Sequence, residues 1–428
     1  MLKAFKSPNT SQNMEYPKGT RLLVISTIVG QVIYILISPL LTRLYNSSDL
    51  GLLGLISSIS SIMATVVTLR YELAIIGAKN DNDSEKLVTI SLILTFILAT
   101  FFSIIIFFII KSHIIKNFEL KIEFVPLIFV TTLSYAATYT FRSLFTRNND
   151  FPLVARINIW QGVARAVLQI VGAPLGAFGL TAGEAIGRGF GLPLSFRKTK
   201  MLVKIFEVLK NPISLKAVAI EYANFPKYVL PSSLFDTLAG LILLPVISAF
   251  YGLGTSGYFA LAQRILAAPL ALVGTTIADI FHFQIAKMQV ENSDAILSTF
   301  WSTAKLLAIV GLVPAFGLFF FGEWIFSHIF GNQWRLTGEL VSIMTPWMFV
   351  QFVTSPLSRI ILLSKRQYLK LIYDIFSVAT VILIPTIAVH AKQDITQTII
   401  WISIAKVVAY ILYFLVILYI CRQLHQEK

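Results

Sequence analysis

The sequence predicts an all-α polytopic membrane protein with twelve transmembrane helices in two halves of six. Composition, the spacing of apolar runs and an internal repeat carry that expectation. Of 428 residues, 56% are hydrophobic and only 13% are charged, with a mean hydropathy of +0.77. So few charges cannot clothe a soluble fold of this length. Apolar runs of roughly 20 residues recur along the whole chain, the length a helix needs to cross about 30 Å of hydrocarbon.

Read in order, apolar runs set against polar breaks place helices near 20–43, 49–77, 87–110, 124–142, 153–172 and 178–196. A second set follows near 228–250, 256–286, 299–321, 339–362, 369–389 and 399–421. The polar start, MLKAFKSPNTSQNMEYPKGTR, precedes a run too long for a removable signal and without a small-residue cleavage site, so the first helix is expected to remain as an anchor. Most of the 35 Lys and Arg residues fall on the side of the N terminus, among them Lys3, Lys6, Lys18, Arg21, Arg142, Arg147 and the cluster from Arg197 to Lys227. The positive-inside bias then puts both termini in the cytoplasm. It also accounts for the net charge of +14 without nucleic acid, for which no zinc-finger spacing or basic helix-turn-helix appears.

The longest polar interval, residues 197–227, falls near the midpoint and reads as a basic cytoplasmic linker with an amphipathic helix on the membrane surface. It divides the chain into bundles 1–196 and 228–428. Six is even, so both bundles enter the membrane in the same sense and form a parallel repeat. PLLTRLYNSSDLGLLG (39–54) lies on PVISAFYGLGTSGYFA (245–260) at a constant offset, matching Pro39 with Pro245, Tyr45 with Tyr251 and Gly51 with Gly257.

Ionisable residues inside spans cost at least ~2.5 kcal/mol on insertion scales and therefore face protein or water. The predicted spans hold Arg70, Arg165, Arg188, Arg264, Lys305 and Lys406, with Glu72, Glu184, Asp236, Asp279 and Asp374. Glu184 and Arg188 share a helix face and are expected to pair. Lys305, Asp279 and Asp374 sit near cytoplasmic ends, where a side chain reaches the interface. Arg70 and Glu72, two apart on a continuous helix, would point in opposite directions and need separate partners. Asn158, Gln161, Arg165 and Gln169 recur at helical spacing, either as the wall of a hydrated cavity or as a polar packing seam. Gly179, Gly183, Gly187 and Gly191 strip one face of the next helix and invite close packing.

Other features point away from chemistry. Cys421 is a lone thiol expected to pack rather than react. No GxxxxGK[ST] motif is present, and the His residues are scattered without metal-ligand spacing. Trp324, His328 and Trp334 fit an interfacial belt. The chain reads as a non-enzyme without a metal or organic cofactor.

SPLLTRLYNSSDLGLLG and TLRYELAII in the first half, with EYANFPKYVLPSSLFDTLAG and YFALAQRILAAPLALVG in the second, resemble the Wzx-type polysaccharide flippases of the multidrug/oligosaccharidyl-lipid/polysaccharide exporter superfamily. The resemblance covers essentially the whole chain. It implies a MATE-like pair of six-helix bundles around a central cleft, in a bacterial inner membrane. The implied substrate is an undecaprenyl-diphosphate-linked oligosaccharide, carried between leaflets by alternating access for O-antigen or another surface polysaccharide. On that reading Arg70, Arg165, Arg188, Arg264 and Lys406 meet the diphosphate, since guanidinium groups offer phosphate paired donors. Asn158, Gln161 and Gln169 add polar lining, and Glu72 and Asp236 either bind a coupling proton or sodium or pair with an arginine. A polysaccharide polymerase and chain-length proteins are the partners such a flippase would have, besides the substrate and bilayer lipid. A drug or cation exporter of the same superfamily ranks second. A membrane polymerase or glycosyltransferase and a passive scaffold follow.

Overall fold

The computed structural model describes residues 25–426 apart from 27, 31, 34, 113–118, 211, 291–294 and 365. The charges at Lys3, Lys6, Lys18 and Arg21 therefore lie outside the described residues, as do both chain ends. No strand occurs among the described residues. Described positions between 25 and 36 are helical and lead into α1 (Ser38–Leu44). The first half continues with α2 (Ser47–Val67), α3 (Asp81–Lys111), α4 (Val125–Arg147), α5 (Phe151–Val171) and α6 (Gly176–Gly189), which Leu192–Thr199 extends. The second half comprises α7 (Leu230–Leu241), α8 (Leu243–Pro269), α9 (Thr275–Val290), α10 (Ile296–Ile329), α11 (Arg335–Leu357), α12 (Tyr368–His390) and α13 (Ile395–Gln426).

Among the described residues, eight helical segments are long and apolar enough to cross a membrane, and α5 with the α6 segment, bent by 59°, makes a further candidate. One of the eight, Phe225–Ala268, is broken at Gly252, whose φ of 81° no other residue adopts cheaply. Splitting it there, counting the bent pair as two legs and adding the first helix gives an order consistent with twelve helices. Local signals explain the boundaries. Asn46 accepts from the Asp49 amide while Asp49 accepts from the Asn46 amide, a reciprocal cap that starts α2. Asn80 and Asp150 cap α3 and α5 one way only, each side chain accepting from the amide three residues on.

The sequence expectation of one helix over 49–77 is corrected. Helix α2 ends at Val67, because Leu69 and Arg70 both take positive φ, 48° and 63°, before the short turn Tyr71–Ala74. Trp334 is corrected as well: it is buried, and its indole donates to the Thr42 carbonyl (3.2 Å), joining the two halves instead of facing the headgroups. Trp324 is exposed.

The halves meet along α2 and α8, and the contact is reciprocal. A Cβ on Gly51 would lie 2.0 Å from the Leu253 carbonyl, and one on Gly257 would lie 1.7 Å from the Ser47 carbonyl. Ser47 and Leu253 stand in the same sequence offset as Gly51 and Gly257. When i touches j′ and i′ touches j, the pair straddles a two-fold axis. The glycines aligned in the internal repeat are thus the residues on which the two bundles rest.

The linker holds two helices, Met201–Leu209 and Pro212–Glu221. Met201 is buried while Leu202, Val203 and Phe206 are exposed, the amphipathic pattern of an interfacial helix. The linker grips the turn after α2: Tyr71 donates to the Ala219 carbonyl (2.9 Å), and the Lys79 amide donates to the Tyr222 hydroxyl (3.0 Å).

Candidate functional site: a cationic cavity between the halves

A cavity of about 770 Å³ opens between one face of α2 and helices α7, α8, α11, α12 and α13. Leu50, Leu53, Gly54, Ser57 and Ser58 supply the α2 wall at helical spacing. Trp347, Gln351, Ser355 and Ser358 form a polar stripe along α11 at the same spacing. Four cations line it, Arg264, Arg359, Lys370 and Lys406, against two carboxylates, Asp236 and Asp374.

Lys406 is 2% exposed, the most enclosed of the four. Its ammonium donates to the Ser377 hydroxyl and lies 5.9 Å from the centre of the Trp347 ring. Neither partner carries a full negative charge. Burying an ammonium is costly without one, so the site favours an incoming anion. Lys370 bridges Asp236 (2.6 Å) and Asp374 (2.7 Å). Arg359 approaches Asp279 at 3.8 Å. Beside these cations Tyr373 stacks on Tyr413, ring centres 4.0 Å apart and planes within 10°. Such a wall offers charge to a phosphate and ring faces to an apolar or sugar surface.

Asp374 had been expected to reach the interface. It is corrected to a buried cavity residue, because Lys370, one turn earlier on α12, ties it inward. Lys305 and Asp279 are exposed.

The polar residues of the first half sit elsewhere. Glu184 accepts from Arg188 (2.9 Å), lies 3.5 Å from Arg165 and accepts from Gln169 (3.2 Å). Arg188 also donates to the Tyr135 hydroxyl (3.0 Å) and lies 4.2 Å over that ring. Gln161 donates to Thr138 and to the Arg188 carbonyl. The glycine ladder explains the closeness. A Cβ on Gly183 would meet the Gln169 amide at 2.8 Å, and one on Gly187 would meet the Arg165 Cα at 2.6 Å. The stripe Asn158, Gln161, Arg165 and Gln169 thus follows the packed α5–α6 seam, the second of its two readings. Asn158 and Gln161 face a void of only about 10 Å³, at most one water.

Arg70 and Glu72 are corrected too. They pair directly at 2.9 Å, because the left-handed backbone at Arg70 turns its side chain back over the next turn, which a continuous helix forbids. The pair lines a second chamber of about 530 Å³ with Tyr139, Arg142 and Thr237. Ser61 and Thr65 carry the α2 face on from the first cavity to the second, and Thr65 meets Thr237 at 3.3 Å between them.

Sequence reasoning missed Lys370, Trp347, Gln351 and the tyrosine cluster. Lys370 stands in the first turn of α12, at the polar edge of its apolar run, where a charge reads as interfacial. The α11 stripe carries no charge before Arg359, so a search for intramembrane charges passed over it, although its spacing was legible.

Residues 40–337 match the family described as polysaccharide biosynthesis protein. The teichuronic acid biosynthesis protein TuaB of Bacillus subtilis (strain 168) is 23% identical over 154 residues, covering 36% of this chain and only 32% of TuaB, so the match spans about a third of that relative's length. The lipid II flippase MurJ, in an inward closed conformation, superposes with a TM-score of 0.67 at 14% identity, over 92% of this chain and 87% of that one. The bent form of the Vibrio cholerae MATE transporter VcmN gives 0.53 at 12% identity, over 95% and 97%. At such identities these structures share the fold alone.

Proposed function

From the premise that this chain belongs to the polysaccharide biosynthesis protein family, we propose that it is a Wzx-type flippase. It carries an undecaprenyl-diphosphate-linked oligosaccharide from the cytoplasmic to the periplasmic leaflet of a bacterial inner membrane, both termini being cytoplasmic. Surface polysaccharide such as O-antigen is the end product, with a polymerase and chain-length proteins downstream. The observation that carries this is the cavity of about 770 Å³ among helices apolar enough to span a membrane, with two formal positive charges in excess over its lining carboxylates and aromatic rings beside them. A diphosphate cannot cross hydrocarbon unaided, and Lys406 and Arg264 meet its charge while the prenyl chain stays in lipid.

The bundles rock about the Gly51–Gly257 contact, exposing the cavity to one leaflet and then the other. Arg165 and Arg188 spend their charge on Glu184 in this conformation and brace the first bundle. Asp236 is the carboxylate through which a proton or sodium gradient would act: releasing it from Lys370 frees a carboxylate for an ion. A drug exporter is the competing reading, but a cavity with surplus positive charge repels organic cations.

The test is complementation of a strain lacking its own flippase. Arg264→Gln with Lys406→Met is expected to abolish surface glycan while membrane insertion stays normal. Normal glycan display by that double variant would overturn the proposal.

A further inference from the structure

The second chamber, where α2 ends, has no part in the diphosphate reading, and it holds an arginine with nothing to do. Arg142 lines it, is exposed, and among the described residues makes no hydrogen bond, ion pair or ring contact. Arg147 on the same helix shows the contrast. It donates to the carbonyls of Ile75, Ile76 and Ala78 and to Asp81, and so clamps the loop after α2. Beneath Arg142 lies the Arg70–Glu72 pair. Glu72 is 1% exposed and already neutralised by Arg70, whose Nε is buried without an acceptor. Two guanidinium groups against one carboxylate leave the chamber one positive charge in excess. A backbone held at positive φ in two successive non-glycine residues keeps Arg70 there, a strain that persists where surrounding structure demands it, often at ligand sites.

We infer that this chamber is an anion subsite for a carboxylate-bearing sugar of the carried glycan, read by Arg142 with Arg70 behind it. The inference rests on the flippase reading above. The charges divide accordingly. In the main cavity Asp236, Asp374 and Asp279 hold Lys370 and Arg359, so Arg264 and Lys406 are the cations offered to a diphosphate diester, with one negative charge on each phosphate, and an acidic sugar needs a further cation. The surplus in the second chamber is the one available for it. Both chambers lie along one face of α2, the first lined by Leu50 to Ser58 and the second by Ser61 and Thr65, so a headgroup with its diphosphate in the first has its outer sugars directed along that face toward the second. A free guanidinium offers a carboxylate two parallel donors. Serine, threonine and tyrosine hydroxyls on the chamber wall suit the rest of the sugar ring. A cation would have to displace Arg70 from Glu72 and then face Arg142, which makes ion coupling here the poorer use of the site.

Two synthetic prenyl-diphosphate disaccharides test this, one ending in glucuronic acid and one in glucose, titrated onto the full chain in phosphatidylcholine nanodiscs. The wild-type chain is expected to prefer the glucuronate ligand by about tenfold, the worth of one charge-assisted contact. Arg142→Gln is expected to bring the ratio near one and Arg142→Lys to keep part of it, with unaltered melting showing that both fold. Lys406→Met weakens both ligands and preserves the ratio. Equal wild-type binding of the two ligands, or a preference that survives Arg142→Gln, overturns the subsite and leaves the flippase reading standing. Binding of neither ligand overturns both. A preference lost in phosphatidylglycerol nanodiscs assigns the chamber to an anionic lipid headgroup and overturns the glycan assignment.

Discussion

Glu184 in the first half and Asp374 in the second are both buried carboxylates one helical turn from a cation on their own helix, yet they do different work. Glu184 is enclosed by Arg165, Arg188 and Gln169 in a seam that the glycine ladder draws tight. Asp374 shares Lys370 with the exposed Asp236 on the wall of the cavity between the halves. Similar charge patterns thus became a fastener in one bundle and a lining in the other. The difference lies in the neighbouring helix. Glycines let α6 settle on α5 and squeeze out water, whereas the bulky Trp347, Tyr373, Tyr410 and Tyr413 of α11, α12 and α13 line open space that faces α2, α7 and α8.

That contrast can be broken experimentally, beginning with the seam. Glu184→Gln leaves two guanidinium groups facing each other with no carboxylate and is expected to cost about 3–5 kcal/mol. The readout is a sharply lower melting temperature and poor yield; ordinary stability would mean the seam is wetter than the geometry shows. Next is Gly187→Leu, whose side chain would enter Arg165 and push the two helices apart, for about 1–3 kcal/mol. If its melting matches wild type, the ladder is not what closes the seam.

The cavity residues are expected to behave in the opposite sense. Lys406→Met replaces a costly buried ammonium by an apolar chain of similar length, so stability should hold or rise while glycan display falls. Loss of both together would make Lys406 a fastener like Glu184. The smallest effect is expected from Asp236→Asn. Its pair with Lys370 is exposed on the aspartate side, so below about 1 kcal/mol of stability is at stake. A larger loss of melting temperature would show that the cavity mouth is structural.

The helical class, the repeat and its axis were legible because each rests on a local or periodic signal. Hydropathy marks spans, and Pro and Gly at a turn mark equivalent positions. The Gly51–Gly257 match proved physical, since those residues carry the contact between bundles. Legibility failed where the backbone departed from a regular helix. Arg70 and Glu72 look incompatible on an α-helical wheel and pair only because Arg70 is left-handed. Trp334 has the residue type and place of a belt tryptophan, and burial between the halves depends on a partner, Thr42, 292 residues away.

By itself the sequence determined that this protein lives in a bilayer, because too few charges remain to face water, and that its two bundles run parallel, because an even number of spans returns the chain to the same side. It also flagged ionisable residues that must find shelter, Glu72, Glu184 and Lys406 among them, though not Lys370. Only the tertiary structure decided what shelters each. A side chain's share of cavity or seam depends on how closely helices distant in sequence approach, and that distance is set by the bulk on both facing surfaces at once.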